Sequence, residues 1–248
     1  MTFTATGREC GMFEELDFRH TPLGDLILRR RTELSLGVEV YEVKLGDAFL
    51  MSSLFTAGEI ALARHALSGL GPGPLDVVVG GLGLGYTARA VLDHPAVRSL
   101  VVVEALPDVI QWHCRGLVPL GKGLVSDPRC ELLDGDFFSL VKRPGLHPDH
   151  PDKRFHVIAV DIDHSPRDVL HPGHAWLYTK DGLSRLAAQL LPGGVFALWS
   201  DDLPDNEFCA SLDDVFASSE ARVVRFANPL TGGESTNTVY LARTAVSA

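Results

Sequence analysis

Between residues 77 and 85 the chain runs Val-Val-Val-Gly-Gly-Leu-Gly-Leu-Gly, and this stretch constrains the fold more than any other. Three consecutive β-branched residues suit a strand buried on both faces, and closely spaced glycines let the backbone turn sharply out of it. Tyr86 to Leu92 then continue as a helix. Strand, glycine turn and helix in that order form the opening unit of a doubly wound α/β sheet, whose turn brings a nucleotide-like ligand to the helix N-terminus. Short apolar runs alternate with helical stretches beyond it, predicting strands over 75–79, 99–104, 129–133, 155–161 and 195–200. Helices are expected near 86–92, 107–115, 181–191 and 205–216, two last strands over 221–226 and 237–242, and a proline-bearing loop over 143–153.

The N-terminal part has a different rhythm. Short β-rich runs over 25–31, 36–45 and 48–51, separated by turn signals such as Leu45-Gly46-Asp47, predict a small antiparallel element. Thr56-Ala57-Gly58-Glu59 fits a capping box ahead of a helix over 60–70, which Gly71-Pro72-Gly73-Pro74 ends. The organisation expected is a β element over 1–54 and a catalytic domain over 55–248.

Composition narrows the function classes. No apolar run approaches the roughly 20 residues that span a bilayer, and the segment 1–13 lacks the basic end and apolar run of a secretory signal, so a cytoplasmic protein is expected. The formal net charge of −10 opposes a phosphate backbone, and the one dense basic run, Arg29-Arg30-Arg31, alternates sides on a predicted strand. Nucleic acid is therefore a poor partner, and a neutral or cationic small molecule a better one. Cys10, Cys114, Cys130 and Cys209 show no metal-binding or disulfide spacing and are expected as free thiols.

Several residues are placed for chemistry. Glu104, ending the strand after the glycine turn, stands where an acidic side chain accepts both ribose hydroxyls. Asp161 and Asp163 follow an apolar strand, and the carboxyl ends of parallel strands face the ligand crevice. Asp161 is the leading catalytic candidate, because a carboxylate can orient an amine and take its proton. His164 beside it is a candidate general base near neutral pH. The pairs His147/His150 and His171/His174 lie in proline-rich loops, so no metal is expected.

The run Gly80-Gly81-Leu82-Gly83-Leu84-Gly85-Tyr86-Thr87-Ala88-Arg89-Ala90-Val91-Leu92-Asp93-His94-Pro95-Ala96-Val97, continuing to Val103-Glu104, resembles the cofactor loop, helix and ribose strand of spermidine synthases. So do Asp127-Pro128-Arg129-Cys130-Glu131-Leu132 followed by Gly135-Asp136, the turn Val160-Asp161-Ile162-Asp163-His164-Ser165-Pro166, and Leu191-Pro192-Gly193-Gly194. The resemblance implies a class I methyltransferase (Rossmann-like) fold and a sulfonium nucleoside, S-adenosylmethionine or its decarboxylated form. It further implies that Gly80, Gly81, Gly83 and Gly85 line that cofactor, that Glu104 holds the ribose and that Asp136 contacts the adenine amine. Asp136 can accept an exocyclic N–H with Phe137 and Phe138 flanking the ring, or it can cap a helix. A homodimer is compatible with the resemblance.

The departures bear on the reaction. Gly83 stands where spermidine synthases carry an aspartate for the amine of the decarboxylated cofactor, and His164 where they carry a second active-site aspartate. Their Tyr-His-Glu acceptor motif is absent from the helix after Thr56, and Leu183 replaces an acceptor-side tyrosine. Loss of those carboxylates leads to the expectation of methyl transfer from S-adenosylmethionine to a small-molecule acceptor. The alternatives are aminopropyl transfer to a diamine, with Asp163 and the acidic residues Asp201, Asp202 and Asp205 replacing the lost ligands, and a catalytically silent nucleoside-binding or assembly protein.

Overall fold

The computed structural model describes residues 13–246, so Cys10 lies outside the described residues, as does most of the segment judged against a secretory signal. Two compact units divide between Phe55 and Thr56. The first is a four-stranded antiparallel sheet in the order β1-β2-β3-β4, with β1 Phe13–Thr21, β2 Gly24–Glu33, β3 Val38–Leu45 and β4 Ala48–Ser52. Strand β1 is not foreshadowed in the sequence, because its largely exposed side chains show little apolar alternation. The arginine run is absorbed within this unit: Arg29 and Arg31 grip the buried carboxylate of Glu42 at 2.6 and 2.8 Å, and Arg30 binds Glu14.

The second unit begins with α1 Ala57–Leu67 and continues β5 Leu75–Gly80, α2 Tyr86–Leu92, β6 Val97–Glu104, α3 Pro107–Arg115, α4 Gly121–Ser126, β7 Cys130–Asp134 and α5 Phe137–Val141. After the loop come β8 Phe155–Val160, a 3-10 helix Pro172–Tyr178, α6 Lys180–Ala187, β9 Leu190–Ser200, α7 Asn206–Asp213, β10 Ser218–Asn228 and β11 Gly233–Arg243. Its seven strands lie in the order β10-β11-β9-β8-β5-β6-β7. The pairs β5–β6, β6–β7, β5–β8 and β8–β9 are parallel, while β11 runs antiparallel to β9 and β10. This is the expected α/β fold of the class I methyltransferase type.

The pattern has a physical cause at each step. All six residues of β5 are buried, as a strand covered on both faces requires. Helix α3 matches its predicted limits because Pro107 suits the first turn and Gly116, at φ +68°, closes the end in the left-handed conformation. Helix α6 stops at Ala187, short of the expected limit, and β9 starts at Leu190, with Gly193 at φ +74° in the Pro-Gly-Gly turn. The chain leaves β5 toward β6 and β7, then returns to build β8 and β9 on the other side. A ligand crevice belongs at that reversal, outside the carboxyl ends of β5 and β8.

Candidate active site

The glycine turn occupies that reversal. Gly81, Gly83 and Gly85 take φ of +94°, +50° and +91°, values that other residues rarely adopt. Packing adds a second requirement at Gly80, Gly81 and Gly85. A Cβ on Gly80 would meet the Phe137 ring at 2.9 Å, one on Gly81 would fall on the Asp161 carbonyl, and one on Gly85 would meet Leu124 at 2.6 Å and His113 at 2.9 Å. These three glycines are demanded by the protein's own packing, and the turn they build is what remains for a ligand.

Glu104 ends β6 directly beside this turn. Its carboxylate accepts the Leu82 N–H at 3.0 Å and the Leu106 N–H at 2.8 Å. Burial pushes its pKa up, opposed by backbone N–H groups that include Gly83 and Ala105. Asp136 is the N-cap of α5, accepting from Phe138 N at 3.0 Å and Ser139 Oγ at 2.5 Å. Its exposed side chain stays at the end of β7. Phe137 is corrected: it is 1% exposed and packed under Gly80 in the core, because that glycine leaves a hole its ring fills. Phe138 is buried too, its outer face stacked on His174 at 3.7 Å.

The two aspartates of the β8 turn diverge. Asp161 faces α2, where its Oδ2 accepts from the Thr87 hydroxyl at 2.6 Å. Asp163 is corrected as a catalytic candidate, since its side chain is 0% exposed. It accepts from Leu170 N and His174 Nδ1 at 2.8 Å each and from the Tyr178 hydroxyl at 2.7 Å. Three donors and full burial tie it into the protein, so it anchors the segment leading into α6. His164 is partly exposed, and its carbonyl accepts from Asp201 N at 2.7 Å. Of the C-terminal acidic residues, Asp205 caps α7 and pairs with Arg167, which removes it from an acceptor rim. Leu183 is wholly buried.

A residue missed in the sequence completes the constellation. Thr56 makes no side-chain cap hydrogen bond, so the capping box is not formed. Glu59 instead turns inward, and burial, then the charges of Asp161 and Asp201, push its carboxyl pKa up. Burial likewise raises Asp161, with the Thr87 hydroxyl opposing. The Thr87 hydroxyl lies 3.4 Å from the Glu59 carbonyl, tying α1 to α2 at this point. Asp201 is held by Asn237 Nδ2 at 2.9 Å, and Gly58 lets α1 approach Asn237 and Trp199. The overlooked signal is position: Leu62, Ala63 and Ala66, three, four and seven residues after Glu59, form the buried face of α1, so the acid lies on an apolar stripe.

No lysine, arginine or histidine among the described residues forms an ion pair with Glu59, Asp161 or Asp201. Other carboxylates of low exposure are compensated: Glu42 has two arginines, Asp76 has Arg98, Asp205 has Arg167, and Glu104 has the backbone N–H groups of Leu82 and Leu106. Among the described residues no group of three or more His, Cys, Asp or Glu side chains is arranged to hold a metal. His147, buried, donates to Glu131 at 3.1 Å, and His174 serves Asp163. Cys114, Cys130 and Cys209 are free, and among the described residues no helix is long and apolar enough to cross a membrane.

Comparison with known proteins places this site in context. The spermine/spermidine synthase domain model matches residues 64–209. Polyamine aminopropyltransferase 2 of Pseudomonas aeruginosa is 34% identical over 152 residues, covering 58% of this chain and 40% of that protein. The polyamine aminopropyltransferase of Pyrobaculum arsenaticum is 35% identical over 91 residues, covering 37% and 30%. The chain thus spans less than half the length of these curated relatives. The crystal structure of spermidine synthase from Thermotoga maritima superposes with a TM-score of 0.69 at 19% identity, covering 94% of this chain and 74% of that one. A spermidine synthase bound to the transition-state analogue AdoDATO gives 0.71 at 18% identity, with the same coverage. The expectation of methyl transfer is corrected by the family match and by these aminopropyltransferase relatives.

Proposed function

The chain belongs to the spermine/spermidine synthase family, and from that premise we propose that it transfers an aminopropyl group from decarboxylated S-adenosylmethionine to a small aliphatic diamine. The observation that carries the proposal is the pair of carboxylates Glu59, on α1, and Asp161, just after β8, gathered without a basic partner, with the exposed Asp201 just after β9 adding its charge. Unpaired carboxylates of low solvent access are costly unless a cation joins them. A diamine carries two ammonium groups at neutral pH, and it would supply that missing charge.

The donor nucleoside supplies an electrophilic carbon next to a sulfonium, with methylthioadenosine as the leaving group. Glu104 would hold its ribose, and the turn between β5 and α2 would seat its backbone. On the acceptor side, Glu59 and Asp201 would anchor and orient the diamine. Asp161, steadied by Thr87, would take the proton from the attacking nitrogen, since only a neutral amine has a free electron pair. That pair forms the new C–N bond as the C–S bond breaks and its electrons return to sulfur. Atoms and charge balance as one triamine, one methylthioadenosine and one proton.

The test is incubation of the purified chain with decarboxylated S-adenosylmethionine and 1,4-diaminobutane, following methylthioadenosine and triamine by mass spectrometry. Stoichiometric appearance of both is expected, with Asp161→Asn reducing turnover at least about 100-fold. A folded protein that binds the nucleoside but converts no diamine of any length would overturn the proposal.

A further inference from the structure

His113 lies outside every motif considered above, yet it is 0% exposed and sits directly beneath the glycine turn. Its Nε2–H donates to the Gly83 carbonyl at 2.9 Å. Its Nδ1 has no hydrogen-bond partner among the described residues. A buried acceptor left unpaired is destabilising and uncommon, so packing alone gives no reason to prefer an imidazole here over an apolar side chain. Burial also lowers the imidazole pKa, which keeps the ring neutral with its proton on the nitrogen facing Gly83.

Gly83 is thereby held at both ends. Its N–H contributes to the Glu104 carboxylate, as does the neighbouring Leu82 N–H at 3.0 Å, while its carbonyl is held from α3 by His113. A glycine at φ +50° has no side chain to restrict it, so without the lower contact the peptide can rotate and release the donors that aim Glu104. We infer that His113 is a positioning residue for the donor nucleoside: through the Gly83 carbonyl it fixes the turn whose N–H groups orient the Glu104 carboxylate for the ribose hydroxyls.

This rests on the reading of the turn and Glu104 as the nucleoside site. The test measures binding of 5′-methylthioadenosine and its 2′-deoxy analogue by calorimetry to the wild type, His113→Leu and His113→Gln. The wild type should prefer the ribonucleoside by about tenfold or more. His113→Leu should lose about tenfold in ribonucleoside affinity and most of that preference, while His113→Gln, which keeps an N–H donor, should retain both within about threefold. Equal weakening toward both nucleosides, or unchanged binding in His113→Leu, would overturn the inference. A wild type that binds neither nucleoside would overturn the functional reading and this inference together; binding with unaltered preference in the variant overturns the inference alone. Should His113→Leu not fold, 15N spectra of histidine-labelled wild type decide the case. The His113 ring should be neutral with its proton on Nε2, and a charged ring or a proton on Nδ1 refutes the assignment.

Discussion

If a diamine enters beside Glu59 and Asp161, it must displace a proton. The pair titrates in two steps, near 6 and near 8, because burial and mutual repulsion oppose ionisation. At pH 7 it therefore holds close to one proton. An ammonium about 4 Å away contributes about 4 kcal/mol at an effective dielectric constant of about 20. That is enough to carry the upper step from about 8 to about 5. The protein should then release close to one proton per diamine bound at pH 7 and close to none at pH 9, where the pair is already ionised. Calorimetry with 1,4-diaminobutane and methylthioadenosine present, run in phosphate and in Tris, reads this number from the dependence of apparent heat on buffer ionisation enthalpy. Glu59→Gln should abolish the release and weaken the diamine about tenfold or more. Tight diamine binding with no proton release at pH 7, or the same release from Glu59→Gln, would refute the reasoning.

Three further outcomes follow from the same contacts. The folded pKa of Glu59 is raised above its ordinary value of 4.5, so its favourable contribution is complete below that value and lost as pH rises through about 8. Glu59→Gln should accordingly be near neutral in thermal unfolding at pH 5 and stabilising by about 1–3 kcal/mol at pH 9. Asp163→Ala leaves the donors of Leu170, His174 and Tyr178 without their acceptor, and chemical denaturation should show a loss of about 3 kcal/mol, with Asp163→Asn costing markedly less; an unchanged midpoint for the alanine variant would remove the anchoring role. Glu104→Gln should weaken methylthioadenosine about tenfold or more in a binding titration and also lower ligand-free melting, because its amide nitrogen would face the N–H of Leu82 or Leu106, and equal affinity would reduce Glu104 to a brace for the turn.

Much of the fold was legible because its signals are local. The strand–glycine–helix run, the apolar strands of the second unit and the Pro107/Gly116 limits of α3 each depend on neighbours within a few positions. Strand β1 and helix α4 were not foreseen, and α5 only as the helix that Asp136 could cap, since a mostly exposed strand and helices of six and five residues carry little periodicity. For the candidate site, the order of motifs brought out Glu104, Asp136 and Asp161. It ranked Asp161 first but kept Asp163 beside it as a catalytic candidate, although the two, two residues apart in one turn, are bound by different partners, Thr87 in one case and Tyr178 with His174 in the other.

The amino-acid sequence by itself determined an α/β chain with its ligand crevice at the end of β5, because backbone sterics and alternating apolar runs act over short distances. Only the tertiary structure decided which acids remain without a counter-charge. Glu59 looks like a helix-capping residue beside Thr56, and becomes a site residue only when α1 docks so that Asp161 and Asp201, more than a hundred residues away in sequence, share its surroundings. His113 likewise is one residue on a buried helical stripe until α3 packs beneath Gly83. Electrostatic repulsion and hydrogen bonding depend on separation in space, and that separation is set by packing among elements that local sequence cannot register.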